Sequence, residues 1–279
     1  MNAIFRALLL LLLSVSASLA QDERPVVKDS DLPPEEAAEQ TLPALWIAGD
    51  STVRNRGEMR GWGEDVSRFL DPAKIQVLNR AIGGRSSRTF FTEGRWDRML
   101  GEMKKGDVVL IQFGHNDAGP LGAAGKFRGS IKGIGEETET VEKPDGTKET
   151  VQSYGWYLRH FARTAKAKGA SVVLCSPVPH RKFDREGRAV ADWTEWRGWV
   201  KACAEAEGVL FLDLSALIGE AYAGMGKAEV EALFADERTH TNHAGALFNA
   251  RQVIAGCAGL AGKPLDGFLN EEGRVFSKR

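Results

Sequence analysis

The sequence predicts an α/β protein: a three-layer αβα sandwich built on a five-stranded parallel sheet. Three observations predict it. Five short apolar runs recur along the chain: ALWIAGD (44–50), IQVLNRA (75–81), DVVLIQFG (107–114), SVVLCSP (171–177) and VLFLDL (209–214). Each is almost continuously apolar, as a strand covered on both faces must be. Longer helix-like segments separate them, and a parallel sheet needs such crossovers between neighbouring strands.

The elements follow in chain order. Residues 1–20, MNAIFRALLLLLLSVSASLA, carry one arginine, an apolar core and a small-x-small end at Ser18-Leu19-Ala20. That pattern predicts an export leader cleaved after Ala20. Its apolar core is shorter than the roughly 20 residues of a membrane span, and no second long apolar run follows, so no membrane attachment of the mature chain is expected. Residues 21–43 are polar and acidic, an arm without a core of its own. The main domain spans 44–262, and 263–279 reads as a loose C-terminal extension.

Within the domain, GWGEDVSRFL after the first strand and GRWDRMLGEM after the second are helix candidates. YGWYLRHFARTAKAKG (154–169) places Trp156, Leu158, Phe161, Ala162 and Ala165 at helical spacing and ends in glycine. WTEWRGWVKACAEAEG (193–208) and roughly 243–260 behave likewise. Residues 130–151 interrupt this rhythm. They are polar, with Asp145-Gly146 between alternating Thr, Val and Glu, and predict a hairpin or long loop inserted after the third strand. Insertions of this length usually serve or cover a site.

A formal charge of −1 and the lack of a basic stripe exclude a nucleic-acid partner. Three cysteines, Cys175, Cys203 and Cys257, cannot all pair within one chain. Buried thiols are the default, with one disulfide possible. None has the spacing of a zinc or redox motif.

Ligands of an open parallel sheet bind at the carboxyl ends of its strands. The first strand ends in Gly49-Asp50-Ser51, the second in GGRSSR (83–88) and the third in GHND (114–117); ADERTHTNHAGA (235–246) precedes the last helix. Each has a plain reading. Ser51 or Asp50 caps a helix, Gly83-Gly84 is a tight turn, and Asn116 makes an Asx turn. His240 and His243 lack a third ligand and an HExxH context, so no metal or cofactor is expected.

Together they read differently. A serine hydroxyl needs a base, and His240 can serve because imidazole titrates near neutral pH. The base needs an acid to set its tautomer. Glu237, three residues upstream, is favoured by spacing, with Asp236 one residue further as the alternative. An oxyanion then needs donors, which the backbone N–H groups of Ser51 and a glycine and the amide of Asn116 would supply. Asp50 shapes the turn.

In order, GDST, the glycine of GGRSSR, GHND and ERTHTN resemble the four sequence blocks of the SGNH (GDSL-type) hydrolases, over roughly 44–260. GRSSR, GWYLR and THTNHAGA look most like bacterial secreted rhamnogalacturonan acetylesterases. The resemblance implies a flavodoxin-like fold and an esterase with Ser51 as nucleophile, Gly84 and Asn116 as oxyanion donors and His240 as base. It implies an acetylated polysaccharide or oligosaccharide as partner. The usual block carries Asp three residues before the histidine, where this chain has Glu237.

Seven tryptophans against three tyrosines suit sugar binding. Trp62 and Trp193 fall in or near loops and are candidate stacking platforms; Trp156 is expected in the core. Arg54, Arg85, Arg88, His180 and Arg181 lie near strand ends and could pair with uronate carboxylates, Arg88 more as a structural bond to loop carbonyls. The competing readings are a lipase or thioesterase using the same machinery, and a sugar-binding protein that keeps the fold without turnover.

Overall fold

The computed structural model describes residues 35–278, so the leader and most of the polar arm lie outside the described residues. In chain order the strands and helices are β1 (Ala44–Gly49), β2 (Gln76–Asn79), α1 (Ser87–Thr92), α2 (Arg95–Glu102), β3 (Val108–Gln112), β4 (Thr138–Glu142), β5 (Lys148–Gln152), α3 (Tyr154–Ala167), β6 (Ser171–Cys175), α4 (Thr194–Glu207), β7 (Leu210–Leu212), α5 (Leu214–Ala223), α6 (Lys227–Glu231), α7 (His243–Gly259) and α8 (Glu271–Phe276). β2, β1, β3, β6 and β7 form one parallel sheet in that order. The five strands are the five apolar runs, each trimmed at its ends.

Successive residues of a strand point to opposite faces, and β1 shows it. Leu45 and Ile47 enter a core with Val253, Ile254 and Cys257 of α7. Trp46 and Ala48 enter a second core with Phe161, Leu158 and Ala165 of α3 and Val200 of α4. Two separate cores on the two faces are what make three layers. The sheet therefore opens at its carboxyl edge, where the four sequence blocks emerge.

The insertion is a two-stranded antiparallel hairpin of β4 and β5, with Val141 opposite Glu149. Gly146 turns it at φ +79°, a conformation that costs glycine little. The hairpin is fastened by Arg88, which is fully buried. Its Nε donates to Glu149 Oε1 at 2.6 Å, and its Nη1 donates to the carbonyls of Leu121 and Gly129 at 2.9 and 2.8 Å. Arg88 is thus structural, bonding loop carbonyls as its competing reading held.

Three sequence expectations are corrected. The segment 61–70 is not an α-helix but two short 3₁₀ turns, Trp62–Glu64 and Val66–Phe69. Beyond the bonds within these turns, its backbone also bonds the nucleophile turn: Trp62 N donates to Thr52 O at 3.1 Å and Gly63 N to Val53 O at 3.0 Å. A Cβ at Gly61 would sit 2.1 Å from the Val53 carbonyl carbon, so only glycine permits this approach. The tail is not loose: Leu265 and Leu269 are buried, and Phe276 meets Phe69 edge-on at 5.6 Å. Trp156 is only half-buried and stacks on His160, while Tyr154 and Tyr157 take the buried positions beside Phe161. All three cysteines are buried free thiols, and burial pushes the Cys257 thiol up to about 12.

Candidate active site

Ser51 stands two residues past the end of β1, on a turn closed by Val53 N and Arg54 N on the Asp50 carbonyl, both at 3.1 Å. The Asp50 side chain builds that turn. Its Oδ1 accepts from Thr52 N at 2.9 Å and Thr52 Oγ1 at 2.7 Å, and its Oδ2 faces His115 Nδ1 at 3.2 Å. Burial raises the Asp50 carboxyl, but His115 and the Thr52 donors outweigh it and hold it below its ordinary value. Below it, Gln112 Nε2 donates to Thr52 Oγ1 at 2.8 Å, and Trp62 Nε1 donates to Gln112 Oε1 at 2.8 Å. Trp62 is completely buried. It is a support beneath the nucleophile turn and not a stacking platform, which corrects the sequence expectation.

The loop before α7 brings the base. His240 Nε2 lies 2.8 Å from Ser51 Oγ, although 189 residues separate them. The acid is Asp236. Its Oδ2 stands 2.5 Å from His240 Nδ1, and its Oδ1 accepts the backbone N–H groups of Arg238, Thr239 and His240 at 2.9, 2.6 and 3.0 Å. Glu237, the acid favoured by spacing, points to solvent; only its carbonyl is used, accepting from Arg181 Nε at 2.9 Å. The reason is steric. Three consecutive N–H groups wrap the short Asp side chain, and that turn aims position 236 at the ring and position 237 away. Burial raises the Asp236 carboxyl, but the N–H groups and the imidazole overcome it and bring it well below the usual carboxylate range.

The oxyanion candidates meet at the same rim. Gly84 has φ +78°, which lets the turn double back, and a Cβ on Gly83 would lie 3.6 Å from Ser51 Cβ. Asn116 Nδ2 donates to the Arg85 carbonyl at 2.9 Å, which orients the amide and leaves its second N–H available. Among the described residues no acceptor meets the backbone N–H of Ser51 or Gly84.

The proposed sugar contacts divide. Arg85 is buried and its Nε donates to Glu93 Oε2 at 3.0 Å, so its carbonyl, not its cation, serves the site. His180 pairs Nδ1 with Asp192 Oδ2 at 2.8 Å, with its ring 5.1 Å from His115 and 5.0 Å from Trp193. Burial lowers the His180 pKa even though Asp192 opposes it. Trp193 is buried, its Nε1 bound to the Val178 carbonyl at 3.0 Å. Arg54 donates Nη1 to the Asn79 carbonyl at 2.9 Å, and among the described residues no carboxylate pairs with it. It lines a cleft of about 380 Å³ along β2, together with Arg60 and Arg80, which have acidic partners, and with Glu35, Glu36 and Glu64. His243 is exposed at the start of α7. Among the described residues no group of three His, Cys, Asp or Glu is placed to hold a metal, and no helix is long and apolar enough to cross a membrane.

Sequence reasoning missed Gln112, His115 and Asp192 as supports. His115 was visible inside GHND, but Asp192 has no local signal; only the fold brings it to His180.

A hydroxyl, an imidazole and a carboxylate in line, beside free N–H donors on an open parallel sheet, are the architecture of a carboxylic ester hydrolase of the serine type. Residues 47–247 match the GDSL-like Lipase/Acylhydrolase family, and the chain belongs to that family. It is 31% identical to a rhamnogalacturonan acetylesterase of Emericella nidulans over 220 residues, 78% of this chain and 86% of that protein. It is 31% identical to the rhamnogalacturonan acetylesterase RhgT of Bacillus subtilis over 249 residues, 82% of this chain and 96% of that one. The crystal structure of Bacillus subtilis YxiM superposes with a TM-score of 0.62 at 27% identity, covering 77% of this chain and 56% of that chain. Axe2, an acetylxylan esterase from Geobacillus stearothermophilus, shares the fold at a TM-score of 0.53 and 20% identity, over 77% of this chain and 93% of that one.

Proposed function

We propose that this chain is an exported esterase that removes acetyl groups from an acidic pectic polysaccharide of the rhamnogalacturonan type. One observation carries the chemistry: Ser51 Oγ, His240 and Asp236 stand in one hydrogen-bonded line. Ser51 Oγ attacks the acetyl carbonyl carbon while His240 Nε2 takes the hydroxyl proton. Asp236 fixes the tautomer and stabilises the imidazolium. The oxyanion is met by the N–H groups of Ser51 and Gly84 and by Asn116 Nδ2. Collapse breaks the bond to the sugar oxygen, which leaves with the proton from His240. Water then gives a proton to His240, attacks the acetyl-enzyme and releases acetate, and Ser51 regains its proton.

The acetyl-polysaccharide assignment is supported by the activities named for both relatives. Arg54, a cation without a carboxylate partner among the described residues, supports an acidic polymer. Export is supported by the leader pattern of residues 1–20. The test is acetate release from a panel of acetylated pectins and xylans, followed by mass, with Ser51→Ala as control. Release from pectins that stops in the variant is expected. Preference for xylan would overturn the substrate, and release unaffected by Ser51→Ala would overturn the mechanism.

A further inference from the structure

Asp117 ends the GHND block, is completely buried, and takes no part in the chemistry above. Its two oxygens each accept the backbone N–H of Ser87 at 3.1 Å. Oδ1 also accepts the Ser87 hydroxyl at 2.5 Å and the Ser130 hydroxyl at 2.6 Å. Its main-chain carbonyl accepts Ser130 N at 3.0 Å. One side chain thereby joins three segments: the turn of Gly83–Gly84 where it enters α1, the loop bearing Asn116, and the start of the insertion. The Asn116 amide spans the same gap once more by bonding the Arg85 carbonyl.

The pattern is that of an acceptor. Every contact on the two oxygens comes from an N–H or an O–H, so an ionised carboxylate meets all of them at once, whereas a neutral acid must turn one oxygen into a donor. Yet no lysine or arginine is among the groups that hold it. Burial and the charge of Asp50 at the end of β1 raise its pKa to about 6 against the three donors, and the phenols of Tyr154 and Tyr157 in α3 lie within its field. A buried carboxylate without a cation destabilises the fold. Its placement is explained by what it spaces.

We infer that Asp117 is a positioning residue of the oxyanion site, holding the turn that carries Gly84 at a set distance from Asn116. The inference rests on the esterase reading above, and a donor displaced by even about 1 Å loses much of its effect on the transition state.

The experiment is a double-mutant cycle of Asp117→Asn and Asn116→Ala on full-length protein, with kcat and KM measured on 4-nitrophenyl acetate. Asp117→Asn alone is expected to lower kcat about 10- to 100-fold with KM within about 2-fold, less than the roughly 100- to 1000-fold of a deleted donor. In the Asn116→Ala background its further effect is expected to be smaller than in the wild type, because one of the two donors whose spacing it sets is gone and the turn has also lost its Asn116–Arg85 bond. Full multiplication of the two losses, or a rise in KM at constant kcat, overturns the inference. If Asp117→Asn does not fold by circular dichroism, Ser87→Ala and Ser130→Ala each remove one hydroxyl and enter the same cycle. A wild type that cleaves 4-nitrophenyl acetate but no acetylated pectin defeats only the substrate reading. A wild type inert on both defeats the esterase reading and the inference with it.

Discussion

Asp236 holds His240 twice: Oδ2 orients the ring Nδ1 at 2.5 Å, and Oδ1 accepts the His240 backbone N–H at 3.0 Å. The carboxylate that sets the tautomer therefore also folds the loop that presents the ring. Asp236→Asn is expected to lower kcat by up to about 10⁴-fold, as for triad acids elsewhere. Glu237→Gln, at an exposed side chain, is expected to stay within about 3-fold, since surface changes away from such contacts cost little. Steady-state kinetics on 4-nitrophenyl acetate decide between them. The reverse ranking would return the acid role to position 237.

The half-buried Asp236 and the fully buried Asp117 titrate with opposite sign. Asp236 has its folded pKa depressed, so its stabilisation is present above the unfolded value of 3.8 and is lost as pH falls below it. Asp117 has its folded pKa raised from 3.8 to about 6, so the folded state keeps a proton that the unfolded chain has released. Stability on its account falls as pH rises from about 4 to about 6, by on the order of 3 kcal/mol for a shift of about two units. Urea unfolding at pH 4.5 and pH 7 should show Asp117→Asn gaining on the wild type at the higher pH. A constant difference across that window would contradict the assignment.

Arg88 is a buried cation with one carboxylate and two carbonyls on it. Arg88→Met leaves both carbonyls without this donor and Glu149 with Lys143 Nζ alone, at 2.6 Å, and breaking such a buried pair costs about 3–5 kcal/mol. At roughly 2–4 °C per kcal/mol for a chain of this size, the melting temperature should fall by about 6–20 °C. Calorimetry checks it; a change under about 2 °C would mean that the hairpin is not fastened there.

Arg54 is the cation in the β2 cleft without an acidic partner among the described residues. Arg54→Gln should lower the ratio of kcat/KM on acetylated pectin to that on acetylated xylan by about 10-fold, the loss of about 1.4 kcal/mol of binding. Added salt should lower the same ratio for the wild type and leave little further to lose in the variant. An unchanged ratio would remove Arg54 from substrate recognition.

The sequence by itself determined the strands, the three layers and the rim. Hydrophobic runs and helical spacing are local signals, so β1, β3, α3 and α4 fall where the pattern puts them. Ser51, Gly84, Asn116 and His240 were legible because each ends or follows a strand or precedes a helix, and strand ends of a parallel sheet share one edge. Only the tertiary structure decided which acid reaches His240, because three N–H groups in one turn aim position 236, not 237, at the ring. It also decided that Trp62 supports Gln112 from below, that Arg85 serves through its carbonyl, and that residues 61–70 bond the nucleophile turn in place of an α-helix. Those choices depend on partners brought from far along the chain, and spacing within a short window carries no record of what lies across a fold.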